Sequence, residues 1–247
     1  MLKRTFLHLP RVGETTERKI WNLGVHSWHD FLAAHGAGAF RGRRIERLSG
    51  DVTESIGRYE RGDWNYFDQR VPSAHKWRAF GDLGDRVLYV DIETTGLMGD
   101  DPITVIGTYD GSDVKSFVAG RNLEAAQAEI EKHPLIVTFN GAQFDMPIIR
   151  SRFRYNFFNH VHIDLRFPLK RLGLTGGLKR IEETLGIQRS PRTRGLDGWD
   201  AVRLWNEYQD GSEAALELLL EYNREDIKNL QPLMRLVHGE LTKQLSF

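Results

Sequence analysis

The sequence predicts an α/β fold, a mixed five-stranded sheet flanked by helices, with a small helical region at the amino terminus. Three observations carry this expectation. Beyond residue 85, short apolar and β-branched runs alternate with stretches of helical spacing. Asp110-Gly111 stands between two of those runs, a hairpin signal that makes the early strands able to pair antiparallel. The later runs alternate with helical stretches, so their strands and helices can form layers.

In chain order, residues 14–23 have helical spacing at Ile20, Trp21 and Leu23, and Gly24 marks the stop. Ser27 opens a second helix, with Asp30 three residues on as a capping partner and Trp28, Phe31 and Leu32 facing inward. These two helices form one unit over residues 1–36. Residues 37–84, rich in Arg, Gly and Trp and helical from 45 to 59, read as a connector. The third unit, 85–247, carries strands at 86–93, 103–109, 114–118, 135–139 and 162–165. Its helices are expected at 123–132, 145–153, 178–185 (stopped by Gly186) and 214–236, where Pro232 predicts a kink.

At 247 residues and 40% hydrophobic, the chain can bury one or two cores. It has no cysteine, which excludes a disulfide partner and thiolate metal sites. Any metal must sit on oxygen or imidazole, and oxygen ligands suit Mg²⁺ or Mn²⁺. No apolar run approaches the roughly 20 residues that cross a bilayer. The first residues lack the apolar stretch of a signal peptide, so a cytoplasmic protein without a membrane partner is expected. Lys plus Arg equals Asp plus Glu, 34 each, which globally argues against nucleic acid. The charge is uneven, however: residues 150–194 hold 11 basic and 3 acidic residues. Salt screens charge beyond about 10 Å, so such a band next to an acidic site is a candidate track for a strand.

Three motifs carry chemistry. In Asp91-Ile92-Glu93, two carboxylates two apart on a strand emerge on one face, after the buried run Val87-Leu88-Tyr89-Val90. Unpaired, they repel and are costly to desolvate; a cation removes both problems. Asn140-Gly-Ala-Gln-Phe144-Asp145 joins a buried strand to a helix, where Asp145 reads equally as a helix cap or a metal ligand. Tyr222 and Asp226, four apart, share one helix face.

In this order the motifs resemble the DEDD exonuclease superfamily, and the tyrosine marks its DEDDy branch, which includes the proofreading domains of DNA polymerases. Residues 178–187, Gly198-Trp-Asp-Ala-Val-Arg-Leu-Trp205 and Tyr222-Asn-Arg-Glu-Asp226 look like the YprB-type RNase H-like nucleases. The resemblance implies an RNase H-like fold over residues 85–247 and a 3′–5′ exonuclease that hydrolyses phosphodiester bonds of DNA or RNA with two metal ions, Mg²⁺ or Mn²⁺. It implies Asp91 bridging both ions, Glu93 and Asp226 completing one site, Asp145 serving the other, and Tyr222 positioning the attacking water. Thr95, Leu97, Asn140 and Phe144 would lie near the terminal nucleotide at the 3′ end. Asp164, another nearby acid, reads as a support to the site residues or as structural, and His160 and His162 as ordinary core or surface residues.

At the amino terminus, Leu9-Pro10-Arg11-Val12-Gly13 resembles the helix-hairpin-helix nucleic-acid-binding motif, with Arg11 where that motif usually has glycine. Two other readings stay open: an RNase H-type or structure-specific endonuclease, and a nucleic-acid-binding module without activity.

Overall fold

The computed structural model describes residues 1–38, 42–96, 103–153 and 159–245. Helices α1 (Glu14–Asn22) and α2 (Trp28–Gly36) form the amino-terminal pair, and the Ser27 hydroxyl accepts from the Asp30 amide at the start of α2. Helices α3 (Arg43–Glu60), α4 (Trp64–Arg70) and the short α5 (Phe80–Leu83) follow, with a 3₁₀ segment at Ser73–Ala79. The connector is therefore more helical than its composition suggests. Its aromatic residues explain why: Trp28 and Phe67 stack at 5.6 Å, and Tyr59 meets Trp64 edge-on. Tertiary packing supplies what local spacing lacks.

The sheet comprises β1 (Val87–Thr94), β2 (Ile103–Tyr109), β3 (Val114–Val118), β4 (Leu135–Thr138) and β5 (Val161–Asp164), in the order β3-β2-β1-β4-β5. The first three strands pair antiparallel, and β4 and β5 run parallel to β1. At the β2–β3 hairpin, the Asp110 carboxylate accepts from the amides of Ser112 and Asp113, 2.8 Å each. The remaining helices are α6 (Ala125–Ile130), α7 (Asp145–Arg152), α8 (Arg166–Arg171), α9 (Leu178–Leu185), α10 (Gly198–Gln209) and α11 (Glu213–Lys243). Helix α11 runs seven residues past the sequence-expected end and stays helical through Pro232. Leu233, Met234, Val237 and Leu241 are all buried on its core face, and this burial offsets the cost of the proline.

Side-chain alternation on β1 builds the two faces of the sheet. Leu88, Val90 and Ile92 point into a cluster with Ile130, Met146 and Ile149, under α6 and α7. Val87 and Tyr89 point the other way, into a core with Ile227, Leu230 and Met234 of α11. That second core also contains Phe6, Trp28 and Phe67, so the amino-terminal helices and the sheet share one apolar interior. By the same two-residue period, Asp91 and Glu93 emerge on the α11 side. A third cluster joins β2 and β3 to α10 and the first half of α11, and it includes Ala201, Leu204 and Tyr222.

Candidate active site

Asp91 and Glu93 stand at the end of β1, and Asp226 faces them from α11. One carboxylate oxygen from each lies within 4.8 Å of the others. Glu93 and Asp226 are buried and Asp91 is half-buried. Burial, then the facing Asp226, Asp145 and Glu93 carboxylates, hold the Asp91 pKa well above the usual carboxylate range. Burial and Asp226 do the same to Glu93. The sequence thus gathers anions where desolvation and mutual repulsion both oppose ionisation.

Asp145 occupies the first turn of α7, whose N-cap residue is Phe144. Of the two readings left open for Asp145, the N-cap position falls to Phe144, and the Asp145 Oδ1 reaches across to accept the Ile92 backbone N–H at 3.2 Å. Asp145 is thereby fixed to β1 at the peptide that joins Asp91 to Ile92, and burial chiefly pushes its pKa up to about 7. The three-carboxylate group does not include it.

Tyr222 lies one turn before Asp226 and is buried. Its oxygen accepts from Lys179 Nζ at 2.9 Å. Burial, then Asp226, Glu93 and Asp91, push the phenol pKa up, so the group stays protonated. A charged lysine has only donors, which leaves the phenolic proton free to point elsewhere.

Four residues escaped the sequence reading. Asn223 Nδ2 donates to Asp91 Oδ2 at 2.9 Å and to Glu93 Oε1 at 3.4 Å, tying the two acids of β1 to α11. It stands three residues before Asp226 on the same helix, so helical spacing could have found it. Gly107 is the second: it pairs with Asp91 across the β1–β2 ladder, and a Cβ there would meet Asn223 Oδ1 at 1.8 Å. Lys179 opens α9 and also donates to the Leu196 carbonyl. Arg189 is the fourth. It forms a two-pronged ion pair with Glu182, at 2.6 and 2.8 Å, and also pairs with Asp226. Nothing in sequence spacing marks Arg189, because Asp226 is 37 residues away.

Asp91, Phe139, Lys179, Tyr222 and Asp226 line one cleft, which continues past Phe139 and Gly177 into a groove bounded by Asn140, Arg166 and Lys170. Asn140 has a left-handed φ of 63°, and its Oδ1 accepts from Arg166 at 2.7 Å. Asp164 is structural: it accepts from the amides of Asn140 and Ala142 and so shapes this turn. Thr95 is exposed just after β1. Phe144 packs partly into the core under α7. Leu97 lies outside the described residues. His162 bonds Thr138 at 2.8 Å, away from the acids. Several arginines of the basic band are committed to protein partners, Arg171 to His75 and Arg192 to Glu221 among them, so the band is no bare cationic track.

A family model described as the RNase H superfamily matches residues 88–238. The chain belongs to the RNase H superfamily. No curated protein matches the chain. Among solved structures, this superfamily member is similar to the family B DNA polymerase of the hyperthermophilic archaeon Pyrobaculum calidifontis, at 20% identity and a TM-score of 0.49, over 61% of this chain and 24% of that one. It is also similar to Escherichia coli RNase D, an exoribonuclease involved in structured RNA processing, at 16% identity and a TM-score of 0.47, over 70% and 44% of the respective chains. The chain thus matches less than half the length of either. Of the four sequence-expected acids, Asp91, Glu93 and Asp226 meet in one group and Asp145 bonds the backbone of the same strand. No described helix is long and apolar enough to cross a membrane.

Proposed function

We propose that this RNase H superfamily member is a 3′–5′ exonuclease of the DEDDy type, similar to the YprB-type nucleases, which hydrolyses phosphodiester bonds of DNA or RNA with two divalent ions. The observation that carries the reading is the convergence of Asp91, Glu93 and Asp226 from β1 and α11, with Tyr222 one turn away. The donor set fits a hard dication: every ligand is a carboxylate oxygen, and burial makes each acid costly to ionise without a cation. Asp91, Glu93 and Asp226 would hold one ion, with Asp91 shared, and Asp145 would serve the other. Bound Mg²⁺ or Mn²⁺ would acidify water and stabilise the departing 3′ oxygen.

The chain's own residues do the rest. Asn223 fixes the Asp91 and Glu93 carboxylates, so that their free oxygens face Asp226. Arg189 offsets part of the surplus negative charge at Asp226. Tyr222, kept protonated and accepting from Lys179, orients the attacking water by hydrogen bonding and does not remove its proton. Thr95, Leu97, Asn140 and Phe144 would border the terminal nucleotide.

In this reading residues 85–247 are the exonuclease domain, 37–84 the connector and 1–36 a helix-hairpin-helix-like unit, in a cytoplasmic protein. Arg11 supports the last: its φ of 61° is the left-handed conformation that glycine would supply in that turn. The test is a time course on end-labelled DNA and RNA strands with Mg²⁺ or Mn²⁺. Stepwise loss of nucleotides from the 3′ end is expected. Internal cuts would make the protein an endonuclease, and no divalent-dependent cleavage would defeat the reading.

A further inference from the structure

Trp199 is 81% exposed, the most exposed large apolar side chain among the described residues. Such exposure of an indole costs burial free energy that the other tryptophans of the chain largely recover: Trp28 and Trp77 are almost fully buried. Its place in the fold is fixed. Asp197 caps α10 by accepting from the amides of Trp199 at 2.8 Å and Asp200 at 3.1 Å, and Asp200 returns the bond to the Asp197 amide. Two residues on, Ala201 is buried in the cluster that contains Tyr222. Residues two apart on a helix point about 200° from each other, so with Ala201 turned into that cluster Trp199 points to solvent. One turn upstream, the Leu196 carbonyl accepts from the same Lys179 that donates to Tyr222. Three residues span at most about 10 Å, so the backbone of Trp199 lies no farther than that from the carbonyl that holds this cleft-lining lysine.

We propose that Trp199 is a stacking platform for an unpaired nucleobase of the substrate strand, next to the scissile end, and that it makes single-stranded 3′ ends the preferred substrate. This inference rests on the proposed nuclease reading. An indole presents one broad face, and every base has a matching one, so stacking there tolerates any sequence. A base inside a duplex has neither face free; only an unpaired base can swing onto the indole. Of the acids around Trp199, Asp200 is paired with Arg203 at 3.2 Å, and the Asp197 carboxylate is held by the helix amides. The turn preceding α10 brings Arg194 to the surface nearby.

The test compares the wild type with Trp199→Ala and Trp199→Phe. Binding to a labelled single strand and to a blunt duplex of the same sequence is followed by fluorescence polarisation in EDTA, where hydrolysis cannot interfere. Trp199→Ala should weaken single-strand affinity about 5- to 100-fold, with little effect on the duplex, and Trp199→Phe should restore most of it. In Mg²⁺ the same variant should raise KM more than it lowers kcat. An unchanged single-strand affinity, an equal loss on both substrates, or a change in oligomeric state in place of a binding defect would overturn the inference. If the wild type shows no divalent-dependent hydrolysis while the stacking defect persists, the nuclease reading fails and the platform stands. If hydrolysis proceeds and Trp199→Ala binds normally, the reverse holds.

Discussion

Glu17 and Asp226 are both buried carboxylates that face an arginine, but their surroundings are built oppositely. Glu17, under the amino-terminal helices, accepts from Arg78 at 2.8 and 2.9 Å, from the Thr5 hydroxyl and from the Phe6 amide. One anion meets one cation, and the remaining acceptor sites are satisfied by neutral donors. Asp226 pairs with Arg189, but Arg189 is already held by Glu182, and Asp91 and Glu93 stand close by. The acids there outnumber the cations. The first arrangement ties the amino-terminal region to the rest of the core; the second stores repulsion that a dication would relieve. A surplus of buried like charge is therefore more informative about chemistry than burial of charge as such.

The largest effect expected from this contrast is on activity. Asp91→Asn should abolish divalent-dependent hydrolysis, by at least about 1,000-fold. It should also raise the metal-free melting temperature, by about 2–4 °C for each kcal/mol of repulsion removed. A fall in that temperature would mean that the acids stabilise the fold. Arg78→Met should act in the opposite sense. It leaves Glu17 buried without its cation, a loss of about 3–5 kcal/mol readable by urea unfolding. A variant as stable as the parent would show that the pair contributes little.

Tyr222→Phe comes next. If the phenol only positions water, hydrolysis should fall about 100-fold while the Mn²⁺ affinity, followed by calorimetry, stays nearly unchanged. Loss of Mn²⁺ binding as complete as in Asp91→Asn would assign the phenol a ligand-holding role. Gly107→Ala should lower activity about 10- to 100-fold, because its methyl would displace Asn223 from the acids it holds. Asn223→Ala should then add little further loss in the double variant, and full additivity of the two losses would break that link.

The two regions also respond to pH with opposite signs. Burial, assisted by Arg70, holds the His8 pKa down to about 3, and burial, with Arg78 and Arg171, holds His75, which bonds Glu14 of α1, at about 4. Both lie below the ordinary value of about 6.5. Their contribution is fully present above the unfolded value and is lost as pH falls below it, because the unfolded chain then binds the extra protons. The cleft acids have raised pKa values, so their contribution is largest in acid and falls as pH rises from about 4, where the unfolded chain releases protons first. The metal-free protein should be most stable near mildly acidic pH, and Mn²⁺ should raise the melting temperature more at pH 7.5 than at pH 5.5. A shift that does not grow with pH would place the ion elsewhere.

Much of the site was legible before any coordinates. Asp91 and Glu93 share a face because strand period is two, and Tyr222 and Asp226 because helix spacing is four. Gly24 and Gly186 end their helices as expected, and both take left-handed φ values, 78° and 71°. The helices at 64–70, 166–171 and 198–209 are absent from the sequence expectation; the first two are short segments of mixed polarity that have no period to read and are held by their neighbours. Spacing could not choose between the cap and ligand readings of Asp145, because the Ile92 amide that its carboxylate satisfies is 53 residues distant.

Sequence by itself determined the order of the five strands, the longer helices around most of them, and the shared faces of Asp91 with Glu93 and of Tyr222 with Asp226, because dihedral periodicity is a local property of the chain. Only the tertiary structure decided that Arg189, Lys179 and Gly107 gather around the same acids and their tyrosine, and that Trp199 is uncovered at the start of α10. Those placements depend on which elements pack together. Contact between residues far apart in the chain is set by burial of the whole apolar surface, and no local spacing records it.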